Sequence, residues 1–263
     1  MNSALRPNLA SRHRVGLKFT TSSFSFCSMP KPPSPPPPPG ESQPPSNPGL
    51  SKLIKAKREF SYLPDAAARS LGFRGWHERG YLPHFDAPDV TQLITINLAD
   101  AFPVTRRAEW EVFLQLSDKS ECRRQLETWL DRGCGDCWLN RAGVAALVEA
   151  ELLAGHRRKY ALQAWVIMPN HLHLIVDIWQ TPLSKLVKQW KGATAVAANR
   201  ALGRRGQFWQ EDYWDTLIKD AKHLAQAIRY VENNPTKAGL GLDPKQWRWG
   251  SARRKDEYGK LAE

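Results

Sequence analysis

Leu162-Gln163-Ala164-Trp165-Val166-Ile167-Met168, then Pro169-Asn170, then His171-Leu172-His173-Leu174-Ile175-Val176-Asp177-Ile178 is the stretch that decides the fold. Two runs rich in aliphatic and β-branched residues, parted by Pro-Asn, read as two strands joined by a hairpin-type turn. Side chains alternate faces along a strand, so His171 and His173 point one way while Leu172, Leu174 and Val176 point the other. Two neutral imidazoles side by side on a rigid strand make half of a metal site. The remaining sequence must supply a third ligand and a reacting group.

Working outward, Gln92 to Leu98 alternates β-branched and polar residues and reads as a first strand. Residues 106–131 are charged, with recurring Trp110, Phe113, Leu116, Leu126 and Trp129, which predicts helical structure. Ala142 to His156 is a stronger helix, and residues 182–202 form a basic one. A Gly-rich break follows at 203–206, and Phe208 to Ile218 is aromatic and reads as extended. A last helix starts at Asp220, a good N-cap, and is expected to stop before Pro235. The result is a mixed α/β (α+β) body, one sheet with helices packed on it. Its expected span is 75–250, with 251–263 a basic C-terminal tail.

Residues 1–49 are different in kind: twelve prolines, one acid (Glu41), and the unbroken run Pro35 to Pro39. Such a segment buries no apolar area and is expected to be disordered or polyproline-II-like. Residues 1–28 are basic, Ser-rich and free of acids, which matches an organelle transit peptide superficially. The blander account, an over-extended start with Met29 as the true first residue, is preferred, and a secretory signal is not expected for want of a central apolar stretch of sufficient length. Over all 263 residues the formal net charge is +12 and the pI about 9.7, which favours a polyanionic partner. There is no long apolar run and no basic amphipathic helix with a clean apolar face, so a membrane is not expected. Four cysteines, at 27, 122, 134 and 137, make no disulfide framework in a chain this long. The expectation is a soluble, cytoplasmic, nucleic-acid-facing protein.

The final helix carries Leu224, Ala227, Ile228 and Val231 at i, i+3, i+4 and i+7, its core stripe. Tyr230 and Asn234, four apart, are neighbours on one flank of that stripe, and His223 lies on the same flank. If this helix packs beside the His171/His173 strand, the set becomes two imidazoles, an amide oxygen and a nucleophilic hydroxyl. A divalent metal on two His and an amide oxygen keeps positions open for a phosphate oxygen. Tyr230 could then attack, giving a phosphotyrosine and freeing a 3′ hydroxyl. A free phenol has a pKa of about 10, so metal or cationic neighbours must help deprotonate it.

At this point the residues carry a resemblance. His171-Leu172-His173 looks like the HUH motif of single-tyrosine HUH nucleases. Ala164 to His173, Phe208-Trp209-Gln210-Glu211-Asp212-Tyr213, and Tyr230-Val231-Glu232-Asn233-Asn234-Pro235, in this order, together resemble the REP-associated tyrosine transposases, a branch of the insertion-sequence transposases acting on single-stranded DNA. The similarity runs from about Gly75 to Trp249. It implies a ferredoxin-like/RRM-like antiparallel sheet with helices packed on it, Mg²⁺ or Mn²⁺, DNA hairpins from repetitive palindromic elements as substrate, and a bacterial, nucleoid-associated location. Tyr230 matches the family's nucleophile, His171 and His173 its metal ligands, and Asn234 its third polar ligand. The Pro-rich tail and Cys134 lie outside the pattern.

Plainer readings compete at each point. Tyr213 is the rival nucleophile, but its neighbours Phe208, Trp209 and Trp214 suit packing or base stacking better. Cys134-Gly135-Asp136-Cys137 lacks the second cysteine pair of a zinc site and is read as incidental. From Ile178 to Gln210 there is no acid, while Lys185, Lys188, Lys191, Arg200, Arg204 and Arg205 are all present. With Trp209, they are the expected DNA-binding surface; Trp247-Arg248-Trp249 and Arg253-Arg254-Lys255 could extend it. A catalytically silent nucleic-acid-binding protein is the alternative function. A histidine-triad nucleotide hydrolase would need His where Ile175 stands. The oligomeric state, the DNA sequence recognised and a general base are not legible.

Overall fold

The structure, a computed structural model, describes residues 62–79, 82–102, 119–257, 259 and 261. The tail over 1–49 and the helical reading at Trp110, Phe113 and Leu116 lie outside the described residues. The central sheet has four strands in the order β4-β5-β3-β6, all neighbours antiparallel: β3 is Val90–Asn97, β4 Tyr160–Ile167, β5 His171–Ile178 and β6 Trp214–Leu217. Between β3 and β4 come α2 (Lys119–Asp131) and α3 (Ala142–Gly155); between β5 and β6 comes α4 (Leu183–Leu202); α5 (Ala221–Lys237) follows β6. Strand–helix–strand, strand–helix–strand with each inserted strand between the other pair is the split βαβ arrangement of a ferredoxin-like sheet.

The two faces of the sheet bury different things. Ile94, Ile96, Leu172, Leu174 and Val176 join Val144, Val148 and Leu152 of α3 and Leu186, Val187 and Trp190 of α4 in the larger core. Leu93, Ala164, Val166 and Ile175, from the other face, pack against Ala227 and Val231 of α5. The expected α5 stripe is therefore the one that docks, with Leu224 and Ile228 at its margin. Asp220 caps this helix, its carboxylate accepting from His223 N–H at 2.8 Å. α4 ends where Gly203 takes the left-handed conformation at φ +63° and Arg204 N–H returns to the Asn199 carbonyl at 3.0 Å.

Several expectations are corrected. α5 does not stop before Pro235 but runs through it to Lys237. Proline lacks only its own N–H, and the turn is rejoined when Ala238 N–H reaches the Asn234 carbonyl at 2.9 Å. Of Phe208 to Ile218, only Trp214–Leu217 is strand; the aromatic part crosses the end of β3, bridging Leu98 to Trp209. Residues 251–254 are not a tail. They form a 3-10 turn in which Ser251 and Ala252 are buried, and Trp165 N–H donates to the Ser251 hydroxyl at 3.1 Å. Ile167 N–H likewise donates to the Trp249 carbonyl at 2.8 Å, so this segment covers the open edge of β4.

A short helix α1 (Ala66–Leu71) and a ribbon of β1 (Gly75–Arg79) and β2 (Leu82–Asp86) precede the sheet, and periodicity did not reveal them. Charges, two histidines and Pro83 interrupt any alternation there. The ribbon is fastened by His84, whose ring nitrogens lie 2.5 Å from Asp215 Oδ1 and 2.9 Å from Asp212 Oδ1. Burial alone would favour the neutral ring, but the two carboxylates overcome it and raise the His84 pKa to about 9. No helix among the described residues is long and apolar enough to cross a membrane.

His84 is 1 % exposed and charged between two buried acids, so its protonation is linked to stability. Its contribution is complete below its unfolded pKa of about 6.5 and is lost as pH climbs through about 9. Thermal unfolding from pH 7 to pH 10 should show a falling midpoint. His84→Gln should flatten that slope and cost about 3–5 kcal/mol at pH 7, as removing one member of a buried charged set does.

Candidate active site

β5 is buried on both faces, and its alternation puts His171 and His173 on the α5 side at 1 % and 2 % exposure. Their ring centroids are 4.8 Å apart. Tyr230, half-buried on α5, brings its hydroxyl to 3.3 Å from His173 Nε2, with the two rings 5.4 Å apart. The expected juxtaposition of strand and last helix is therefore present.

Each imidazole is held through its other nitrogen. His173 Nδ1 lies 2.8 Å from the hydroxyl of Thr95, its direct partner across β3 and β5. His171 Nδ1 lies 2.8 Å from Asn170 Oδ1. The Asn170 amide nitrogen donates to the Cys134 carbonyl at 3.0 Å, so its oxygen is the end facing the ring. His171 must then carry its proton on Nδ1, leaving a lone pair on Nε2. Burial pushes the His171 pKa down to about 3, which keeps the ring neutral. Fixing a ring through its second nitrogen is how metal-ligating histidines are oriented.

Three buried acceptors on this side of the sheet have no hydrogen-bond partner among the described residues: His171 Nε2, Asn234 Oδ1 and Asn97 Oδ1. Asn234, 0 % exposed, lies one turn past Tyr230 on the stripe of Ala227 and Val231 that packs on the sheet. Asn97 faces His171 directly across β3 and β5, and its amide nitrogen is committed to Gln210 Oε1 at 3.1 Å. Buried polar atoms are paired in the great majority of cases, so such a cluster calls for a ligand. Two imidazole nitrogens and an amide oxygen suit a divalent cation. Among the described residues no three His, Cys, Asp or Glu side chains gather as a metal site.

Other expected site residues fall elsewhere. His223 is at the start of α5, where its Nδ1 accepts from Lys219 N–H at 3.3 Å. Tyr213 is buried and its ring stacks 4.4 Å from His84, away from the histidine pair. Trp209 is a correction: at 5 % exposure, with its indole N–H on Thr194 Oγ1 at 2.9 Å, it has no free ring face for a base. α4 packs on the sheet face opposite the histidines. Lys185 there binds the Leu71 carbonyl at 2.9 Å and Lys191 the Glu211 carbonyl at 2.7 Å, while Lys188, Arg200 and Arg205 are exposed. Thr95, Asn97 and Asn170 were missed. Alternation could have put Thr95 and Asn97 on one face, but only the register pairs them with the histidines.

Residues 151–234 match the family described as transposase IS200 like. That span includes His171, His173, Tyr230 and, as its last residue, Asn234. Over 99 residues the chain is 30 % identical to a protein of Haemophilus influenzae described as a REP-associated tyrosine transposase, covering 34 % of this chain and 56 % of the relative. A REP-associated tyrosine transposase of Escherichia coli is 26 % identical over 92 residues, covering 34 % and 53 %. The chain thus spans about half the length of the curated relatives it matches. A solved REP-associated tyrosine transposase bound to a REP hairpin aligns at 17 % identity and a TM-score of 0.41, covering 68 % of this chain and 83 % of that one. The resemblance to the REP-associated tyrosine transposases is shared by sequence relatives and by the order of the motifs.

The tautomer of His171 is directly measurable. In ¹⁵N-detected histidine spectra His171 should appear as the Nδ1–H form, and Asn170→Ala should admit the second tautomer. The same change should destabilise the fold by about 1–3 kcal/mol, because a buried ring donor loses its acceptor.

Proposed function

We propose that this chain is a DNA endonuclease and strand transferase that cleaves hairpin-associated single-stranded DNA through a covalent 5′-phosphotyrosine on Tyr230. The observation that carries the reading is the phenol of Tyr230 against His173, on the side of the sheet where buried acceptors of His171 and Asn234 lack a hydrogen-bond partner among the described residues. His171, His173 and Asn234 would hold Mg²⁺ or Mn²⁺. Bound there, the cation would draw charge from a phosphate and offset charge developing in the transition state.

The chain's own residues do the rest. Asn170 and Thr95 fix the two rings, so the ligand nitrogens are set before DNA arrives. Tyr230 is only half-buried, which leaves its hydroxyl reachable by a phosphate at the edge of the site. In the reaction a Tyr230 Oη–P bond forms as the P–O3′ bond breaks. The phenolic proton leaves to solvent and the departing 3′ oxygen takes one up. The phosphotyrosine keeps the energy of the phosphodiester, so rejoining to another 3′ hydroxyl needs no nucleotide cofactor. The curated relatives are described as REP-associated; hairpins of repetitive palindromic DNA are the proposed substrate, and the bacterial nucleoid the proposed location.

Incubation of end-labelled single-stranded hairpin DNA with the protein and Mn²⁺ should give an adduct that survives denaturing gel electrophoresis. It should vanish with chelator and with Tyr230→Phe, and persist with Tyr213→Phe. His171→Ala and Asn234→Ala should each lower the yield at limiting metal by at least about tenfold. An adduct that survives Tyr230→Phe, or none from the wild type, overturns the assignment; salt-sensitive binding without an adduct would favour a silent DNA-binding protein.

A further inference from the structure

α4 packs on the sheet face opposite the histidines, and a cationic cluster on that same side reaches the strand end where His171 begins. Trp138 opens a 3-10 turn (Trp138–Asn140) just before α3. The guanidinium of Arg141 lies 5.1 Å from its ring centroid, and that of Arg204, which follows α4, lies 5.5 Å from the same ring. Arg204 also stands 5.9 Å from the Phe208 ring, and it donates to the Gln207 carbonyl at 3.2 Å. Two guanidinium groups more than sixty positions apart in the chain are thus gathered on one indole. Neither is ion-paired to a carboxylate among the described residues.

The cluster adjoins the end of the sheet where His171 begins. Leu139 N–H donates to the Pro169 carbonyl at 3.1 Å, docking the Trp138 turn on the β4–β5 turn. Leu98 N–H donates to the Asn170 carbonyl at 2.8 Å and Ala99 N–H to the Phe208 carbonyl at 2.9 Å. Phe208, Trp138 and His171 are therefore carried by segments hydrogen-bonded to the same strand end.

We propose that Arg141 and Arg204, held on Trp138, form a clamp for the single-stranded DNA that flanks the phosphate at Tyr230. This rests on the reading of the site as a DNA strand-transfer centre and adds where the substrate strand is gripped. An aromatic ring restrains a guanidinium without neutralising it, so both cations are presented to solvent already oriented. A planar guanidinium can bind a phosphate with two parallel N–H donors and offers its own plane to an unstacked base. The positive charge, not ion-paired among the described residues, and the stackable surfaces fit a flexible single strand better than a duplex.

Fluorescence anisotropy with a labelled hairpin bearing a single-stranded flank, across a salt series, tests the clamp. Arg141→Gln and Arg204→Gln should each weaken binding about five- to tenfold and reduce the slope of log K against log[salt] by about 0.7, the single-strand value for one phosphate contact. Arg141→Lys should restore the slope but only part of the affinity. Arg158→Gln, an exposed cation just before β4 and at the opposite end of that strand from His171, should leave both unchanged. Binding of a blunt hairpin without the flank should be indifferent to all four changes, and saturating DNA should restore the adduct yield of the arginine variants. Wild-type affinity and slope in both Arg→Gln variants, with unfolding midpoints unchanged, overturn the clamp while leaving the strand-transfer reading intact. So does an equal loss from Arg158→Gln. A wild type that binds the DNA but forms no adduct overturns the strand-transfer reading, and the clamp is then still judged by the binding series. A wild type that binds no DNA overturns both.

Discussion

The register of β5 between β3 and β4 is the constraint on which the site depends. The strand is buried on both faces, and its two sets of side chains are not interchangeable. A slip of one residue would turn both imidazoles into the apolar layer under α3 and α4 and put Leu172 and Leu174 under α5. Pairing on both sides prevents this, reinforced at the turn where Met168 N–H meets the His171 carbonyl and Leu98 N–H the Asn170 carbonyl, both at 2.8 Å. The histidines therefore inherit the rigidity of the most enclosed strand in the sheet.

Polar chemistry in the interior is spent in two ways. His84 with Asp212 and Asp215 is a closed set, in which a charged ring finds an acceptor at each nitrogen and joins the β1–β2 ribbon to β6. The histidine pair is the opposite kind. Its Nδ1 atoms are satisfied by Thr95 and Asn170, while His171 Nε2 and the amide of Asn234 have no hydrogen-bond partner among the described residues. The first arrangement stabilises the fold; the second concentrates unmet acceptors at one place, which a fold tolerates where a ligand completes them.

Much of this was readable from residues alone. The two strands around Pro169-Asn170, the apolar stripe of α5 and the Asp220 cap follow from local rules of alternation, helical spacing and capping, and each stands where those rules put it. Proline rules misled at Pro235, because a missing N–H does not end a helix whose face is already packed. The basic run on α4 serves partly inside the fold. The Lys185 and Lys191 ammonium groups cap backbone carbonyls of neighbouring segments, and Trp209 fills the core. The β1–β2 ribbon had no clean alternation to read, since it is held by His84 and its two acids across more than a hundred residues of chain.

What the sequence determined by itself is what depends on near neighbours: that His171 and His173 share a face, that Tyr230 and Asn234 share a flank, and that the motifs resemble those of a transposase family. Tertiary structure alone decided that the flank lies on that face, that Thr95 and Asn170 orient the rings, and that Arg141 meets Arg204 on Trp138. The physical reason is one of range. Strand and helix periodicities are set by backbone geometry over a few residues, whereas contact between elements is set by which apolar faces can be buried together, and that is a property of the whole packed chain.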